Sequence, residues 1–461
     1  MFLTTEHAKD RFRCVQHPER ANKLTSGDAG VNFVPFHDRH NAVLKGRYSI
    51  DVDWSAFFDQ FRLSDEVSKY FCFKVVDGTV YSMNVLPMGF KHSVSIAHTA
   101  TLQLLNFNPS CYVEAYIDNV RLVGDDKEAL IRDAATLLTR CAQARVTVNE
   151  ADATLLRDLP EEERMAAAIK LVTPLCTQKA PWLGELYDYE HKTIELAEKT
   201  REKVARCMDA PRRSYRSFAG MAGILQYASR TLGLPLARFY PARRAISDIA
   251  WLLQGCDELW DKPMPPLCDA VQKNFALWRD MVLQAAPRVM KEPMAPELVI
   301  IVDASDTGWG ALSFDEHGRE AFQRQQWTKA DERCFDPKVS TRAEPEGLYR
   351  ACCAFVRPNV HRTVYIASDS SATVGAINKG QSLSYWMNKV CDRLQAAFPG
   401  VDFKVVHTPG LGNPADGISR ELLEPTSEDW SIGRKLADQA KATRFSGRLN
   451  AKATRGVGSA A

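Results

Sequence analysis

The 461-residue sequence has no CxxC pair, and its 12 cysteines form no cluster with histidine at zinc-ligand spacing, so structural zinc is not expected. Scattered cysteines, with Cys352 and Cys353 the one adjacent pair, suit a reducing compartment where most act as small apolar side chains. No apolar run approaches the ~18 residues of a membrane span. The start has no basic stretch followed by an apolar one, so it does not read as a signal peptide. The expectation is an intracellular protein of cytoplasm or nucleus, neither secreted nor in a membrane. No internal repeat is visible. Charge of one sign is missing too. The 59 basic and 57 acidic residues leave a formal charge of +2. Taken alone, that argues against a dedicated nucleic-acid binder, whose domain pI would usually exceed ~9. What remains is ordinary globular composition, 45% hydrophobic and 25% charged. The length suggests about three domains at ~150 residues each.

Residues 1–50 are polar and turn-rich, and from Tyr48 to about Trp182 short strands alternate with helical stretches. The stretch Lys199 to Arg244 is helical in pattern and strongly basic, net about +9 by residue count. Trp- and Leu-bearing helices follow, interrupted by Lys262-Pro-Met-Pro-Pro266, and Pro293 and Pro296 mark a domain boundary. The last residues turn polar, then small and basic, and are expected to be a disordered tail.

Two sets of acids stand out. In Ser49-Ile-Asp-Val-Asp-Trp-Ser-Ala-Phe-Phe-Asp-Gln60, Asp51 and Asp53 close a strand before a turn. In Ala115-Tyr-Ile-Asp-Asn-Val-Arg-Leu-Val-Gly124, Asp118 sits between two short apolar strands, as at a hairpin tip. Acids brought together by neighbouring strands make a hard oxygen site suited to Mg²⁺. Two such ions ~3.5–4 Å apart can activate a 3′-hydroxyl and stabilise leaving pyrophosphate. Leu86-Pro-Met-Gly-Phe-Lys91 lies between the two acids. This order resembles the palm of retroelement reverse transcriptases. Asp53, Phe58 and Gln60 match the first palm motif, Leu86 to Lys91 the LPxG motif, and Tyr116-Ile-Asp-Asn119 the YxDD motif. Val148-Asn149 is similar to the LNP segment, Trp182-Leu-Gly184 to the primer grip, and Arg11-Phe-Arg13 with Asn22 to the fingers segment.

The resemblance implies roles by position. Asp53 and Asp118 would hold the metals. Phe58 would exclude a 2′-hydroxyl. Gly89 and Lys91 would lie against template and nucleotide, and Arg11 and Arg13 against the incoming triphosphate. Arg212, Arg213, Arg216 and Arg230 would belong to a thumb gripping hybrid phosphates. The motif departs from the family at Asn119, where the second Asp is expected, and Asp51 is a compensating carboxylate to consider. The N-terminus is shorter than the family's fingers, so an upstream fingers segment or a dimer partner is expected to complete them.

The second set is Asp303 in Ile301-Val-Asp-Ala-Ser-Asp-Thr-Gly308, Asp369 after Tyr365-Ile-Ala-Ser368, and Asp416 in Asn413-Pro-Ala-Asp-Gly-Ile-Ser-Arg420. A helical acid, Glu344 or Glu346, completes four carboxylates, with apolar Leu348 and Ala351 favouring Glu344. Such a set around two Mg²⁺ ions can activate water for attack on an RNA phosphodiester. The order resembles ribonuclease H, in which His407 takes the place of a mobile histidine. Asp306-Thr-Gly308 offers a competing aspartic-protease triplet that leaves the other acids unexplained.

The fold implied is α/β, with an α+β palm and a C-terminal ribonuclease H-like mixed sheet. The parts are fingers and palm (1–190), basic thumb-like helices (191–245), a helical connection (246–296), a ribonuclease H-like domain (297–421) and a tail (422–461). The implied function is RNA-directed DNA polymerase with ribonuclease H, using Mg²⁺ (two per site) or Mn²⁺. Its partners would be an RNA template, a DNA primer, their hybrid and dNTPs. The source element resembles LTR or DIRS-like, VIPER-like retroelements. The alternative is a catalytically decayed or domesticated nucleic-acid-binding protein that keeps the fold. Near-neutral charge is no objection, because the basic stretch and the basic tail leave a remainder of about −13 that includes both acid sets.

Overall fold

A computed structural model describes residues 2–6, 11–15, 18–27, 30–209, 214–292, 294–421 and 423–442. The chain is an α/β protein, as its alternating strand and helix patterns predict, and divides into two compact units, Met1–Ile194 and Glu195–Ala461. Among the described residues no helix is long and apolar enough to cross a membrane.

The N-terminal unit is built on a three-stranded antiparallel sheet, β1 (Tyr48–Asp53), β2 (Tyr112–Tyr116) and β3 (Asn119–Gly124), in the order β1-β3-β2. Strand side chains alternate between faces. Ile50, Val52, Val120 and Leu122 therefore point one way, into the core made with α1 (Ser93–Leu104) and α2 (Lys127–Gln143). Helix α2 is opened by Asp126, whose side chain accepts from the N–H groups of Glu128 and Ala129, relieving two unpaired donors of the first turn. A further helix, α3 (Glu161–Val172), packs on α2. Gly46 must be glycine, because a Cβ there would lie 2.2 Å from the Gly124 backbone.

The opposite face of the sheet carries Asp51, Asp53, Glu114, Asn119 and Arg121. It is polar, with Glu114 and Arg121 buried and the other three half-buried, and the hairpin β4 (Lys179–Trp182) and β5 (Glu185–Asp188) lays Trp182 and Tyr187 on Arg121. Arg121 is fully buried and ion-paired with Glu114 at 2.6 Å, with its guanidinium 4.3 Å from the Tyr187 ring centroid and 5.0 Å from that of Trp182. Beside it Glu185 accepts from Tyr187 (2.7 Å) and Arg39 (3.3 Å) and pairs with His40 at 2.8 Å. Buried charges are tolerated when paired in this way.

The C-terminal unit begins with helices α4 (Glu198–Arg206), α5 (Tyr215–Leu232), α6 (Tyr240–Leu253) and α7 (Asp269–Gln284). Phe218, Phe239, Phe275 and Trp278 pack at their centre, and the Trp278 indole N–H donates to Ser229 Oγ at 2.6 Å. Helix α5 ends at Gly233 in the left-handed region (φ 66) that glycine adopts without strain.

A five-stranded mixed sheet follows: β6 (Leu298–Ala304), β7 (Gly308–Asp315), β8 (Glu320–Gln326), β9 (Thr363–Ser368) and β10 (Asp402–His407), in the order β8-β7-β6-β9-β10. The first three strands are antiparallel, and β9 and β10 join parallel. Central β6 is buried on both faces. Leu298, Ile300 and Val302 meet α8 (Ser340–Phe355) and α10 (Tyr385–Ala397), while Val299 and Ile301 face the other side. Helix α9 (Ser371–Lys379) packs against β10.

The expected disordered tail needs correction. Ser427–Ala442 forms a helix, α12, that covers the second face of the sheet with buried Gly433, Ala437 and Ala440, while 443–461 lie outside the described residues. Small residues that read as tail composition are what lets this helix approach closely, since a Cβ on Gly433 would lie 2.6 Å from Phe314 Cζ. Arg434, counted in the basic tail, pairs with Glu320 of β8 at 2.6 Å.

Candidate active sites

In the N-terminal unit the sheet register places Asp53, the last residue of β1, opposite Asn119, the first of β3. Asp118 is at the tip of the β2–β3 hairpin. The preceding Ile117 has φ 58, an outlying conformation for a β-branched residue of the kind that clusters at functional sites. The Trp54 N–H donates to Asp118 O at 3.0 Å, tying the end of β1 to the hairpin tip. The Asn119 amide donates to Asp118 Oδ1 at 3.0 Å.

Two neighbours come from the segment after α2, brought alongside by a bridge between Trp54 and Val148. The Asn149 amide donates to Asp53 Oδ2 at 2.7 Å, and the Asp53 N–H donates to Glu150 Oε2 at 2.8 Å. Partial burial holds the Glu150 carboxyl above its usual range, against the lowering effect of that N–H. Asn149 was legible as part of a motif, whereas Glu150 carried no signal beyond its place next to it.

Asp51 shares the face of Asp53 but lies opposite Arg121. Burial pushes its carboxyl up to about 7, against the pull of Arg121, and neither oxygen has a hydrogen-bond partner among the described residues. Phe58 is half-buried on the short turn Phe57–Gln60. Gln60 braces this turn by accepting from the Thr147 N–H (2.9 Å) and donating to Thr147 O (3.2 Å).

The segment carrying Gly89 and Lys91 is clamped by one side chain. Asn22 donates to Gly89 O at 3.0 Å and accepts from the Lys91 N–H at 2.9 Å. The Lys91 ammonium turns back onto Thr25 O. Arg11 and Arg13 fall on the strand Arg11–Val15, paired with Phe2–Glu6, and their side chains lie outside the described residues.

Of the basic residues assigned to nucleic acid, Arg212 and Arg213 lie outside the described residues. Arg230 is in the last turn of α5. Arg216 is engaged in a two-pronged pair with Asp261 (2.7 and 3.1 Å), so part of the basic excess is neutralised from the next segment. Helix α5 also borders a cleft of about 510 Å³ lined by Ser217, Gly220, Gly223, Tyr227 and Lys203. A Cβ at Gly220 or Gly223 would meet nothing within 4 Å.

In the C-terminal unit Asp303 projects from β6, Asp369 follows the end of β9, and Glu344 lies on the first turns of α8. One ligand atom from each lies within 4.8 Å of the others, a grouping among the described residues with the geometry to hold a metal ion. Helix α8 approaches this closely because Gly347 faces Ala304, where a Cβ would come to 2.7 Å. Burial, and then the charges of Asp303 and Asp369, push the Glu344 carboxyl up to about 9. Burial also pushes Asp303 up to about 6, although the Ser419 hydroxyl donates to it. Asp369 Oδ1 is buried with no hydrogen-bond partner among the described residues. Crowded, desolvated carboxylates with an orphan oxygen are the electrostatic signature of a place for a cation.

Asp416, at the start of α11 (Asp416–Arg420), is not in this group, and it accepts from Arg420 Nε at 2.6 Å. Glu346 is turned away, buried between Arg350 (3.2 Å) and Arg393 (2.6 Å). His407 ends β10 in register with Ser368 and is exposed. Asp306 of the Asp-Thr-Gly triplet is an exposed turn residue.

Residues 9–172, which include Asp53, Asp118 and Glu150, match the family model described as reverse transcriptase (RNA-dependent DNA polymerase). No curated protein matches the chain. Among solved structures, the chain is similar to the foamy viral protease-reverse transcriptase dRH in complex with ds DNA, at 13% identity and a TM-score of 0.46, covering 87% of this chain and 63% of that one. It is also similar to the foamy viral protease-reverse transcriptase in complex with RNA/DNA hybrid, at 13% identity and a TM-score of 0.42, covering 92% of this chain and 52% of that one. The chain thus spans less than two thirds of either structure's own length.

Proposed function

We propose that this chain is an RNA-directed DNA polymerase with ribonuclease H activity, copying retroelement RNA into DNA. The observation that carries the polymerase half is the pairing of Asp53 with the Asp118 hairpin tip inside the segment that matches the reverse transcriptase model. Asp53 and Asp118 would hold divalent cations, Mg²⁺ or Mn²⁺, whose chemistry is to lower the pKa of an attacking hydroxyl and offset charge on a leaving group. The chain's own part is to fix the two acids on neighbouring strands, brace the Phe58 turn that would bound the sugar, and present α5 to a duplex. The hydrolytic half rests on Asp303, Glu344 and Asp369, whose oxygens converge within 4.8 Å of one another. In this reading Asp416 joins them when Arg420 gives way. Asn119 favours a second reading, a decayed nucleic-acid-binding protein, because it leaves the first site one carboxylate short of the motif.

Primer extension on an RNA template separates the two readings. Wild-type chain is expected to incorporate dNTPs with Mg²⁺ or with Mn²⁺, and Asp118→Ala to incorporate none. Absence of extension with both metals would sink the polymerase and leave the binding protein. Independently, the RNA strand of a hybrid should be cut by wild type and left intact by Asp303→Asn. Equal cutting by both proteins would show that the hydrolytic site is misplaced.

A further inference from the structure

We propose that Glu150, with Asn149, is the positioning residue of Asp53, and that its carboxylate supplies the third negative charge of the N-terminal site. This inference rests on the polymerase reading.

The charge balance poses the problem. Asp53 and Asp118 bring two negative charges to a site that would face two divalent cations. The residue across from Asp53 is Asn119, which is neutral, and its amide donates to Asp118. The other acidic site of the same chain gathers three carboxylates within 4.8 Å. A carboxylate near Asp53 but distant in sequence would redress the difference.

Glu150 meets that requirement through contacts that a loose surface acid does not make. The Trp54–Val148 bridge aligns the segment antiparallel to the end of β1. The Asn149 N–H then donates to Asp53 O at 2.9 Å and its side-chain amide to Asp53 Oδ2 at 2.7 Å. Glu150 Oε2 accepts the Asp53 N–H at 2.8 Å. Two consecutive residues therefore hold the backbone donor, the backbone acceptor and one carboxylate oxygen of Asp53. The same contacts fix where Asp53 points and set the Glu150 carboxyl group against its backbone. Glu150 acts through Asp53 and is a positioning residue, not a catalytic one.

The variant Glu150→Gln isolates the charge, because its amide oxygen can still accept the Asp53 N–H. The full-length chain is loaded with Fe²⁺ in place of Mg²⁺, and hydroxyl radicals generated at the metal cut the backbone beside it. Fragments ending near Asp53 and Asp118 report the first site, and fragments ending near Asp303 and Asp369 serve as an internal control. Glu150→Gln is expected to need about tenfold more metal for N-terminal cutting and for primer extension, with control fragments and melting temperature unchanged. Adding Asn119→Asp to Glu150→Gln should restore the wild-type metal dependence, which a merely structural role would not predict. Wild-type cutting that Glu150→Gln leaves unchanged, or a folded double variant that recovers nothing, overturns the inference alone. No N-terminal cutting in wild type overturns the polymerase reading and this inference with it.

Discussion

Arg121→Ala is expected to destabilise the N-terminal unit by roughly 3–5 kcal/mol, the usual cost of removing one partner from a buried ion pair. Arg121 is fully buried and donates through Nε and Nη2 to Glu114 at 3.1 and 2.6 Å, and also to Arg39 O at 2.7 Å. Its removal leaves Glu114 charged and uncompensated, takes the facing cation from Asp51, and empties the space between Trp182 and Tyr187. Arg121→Lys should recover little, because an ammonium cannot donate in the same fork while stacking on two rings. Urea unfolding of the full chain, followed by signals from the N-terminal unit, measures the effect. A loss below ~1 kcal/mol would mean that the pair is hydrated and behaves as a surface pair. The Asp118 hairpin should suffer with it, since Arg121 lies two residues beyond Asn119 on the same strand.

The second large effect has the opposite sign. Glu344→Gln is expected to stabilise the cation-free protein at pH 7 by roughly 3 kcal/mol. Its carboxyl is raised from 4.5 to about 9, chiefly by burial. Below about pH 4.5 folded and unfolded chains both hold the proton and nothing is lost. Between 4.5 and about 9 the folded chain keeps a proton that the unfolded chain has released, so stability falls as pH rises. Above about 9 the loss is complete. Glutamine removes this slope, raising the melting temperature of the C-terminal unit by about 5 °C near neutrality. A divalent cation should do the same for wild type, with a gain that grows with pH and is smaller in Glu344→Gln, which keeps Asp303 and Asp369. Thermal scans between about pH 5 and about pH 9, with and without Mg²⁺, test both statements. A lower melting temperature for Glu344→Gln at neutral pH would show that the carboxylate stabilises the fold instead of burdening it.

Glu344 shows what a sequence can and cannot display. The acid-bearing strand ends at Asp53, Asp303 and Asp369 were legible, because an apolar run ending in an acid reads as a buried strand emerging at an edge. Helical spacing of Leu348 and Ala351 also separated Glu344 from Glu346, which the structure turns to opposite surroundings. The partners of these acids were not legible. Glu150 reaches Asp53 across 97 residues of sequence, and no local pattern records such a contact. Arg121 carried no signal in the sequence, since burial of a guanidinium depends on Glu114 and on rings from the distant β4–β5 hairpin. The basic stretch was legible as charge but not as balance, because Asp261 lies beyond its end and pairs with Arg216. Composition failed outright at Ser427–Ala442. Glycine and alanine among lysines and arginines look like a tail until a flat sheet is available to receive them.

That helix sets the limits of any excised piece of this chain. Val299, Ile301, Leu312 and Phe314 are sheltered by Ala437 and Ala440, with Trp430 edge-on to Phe314. A fragment ending just after Arg420 would contain every acid of the second site yet present one wall of its sheet to water. Such exposed apolar surface drives self-association. An expression boundary drawn at the last acidic motif would therefore yield a full set of acids on a sheet that precipitates, and the shortest version that stays in solution should run through Ala442.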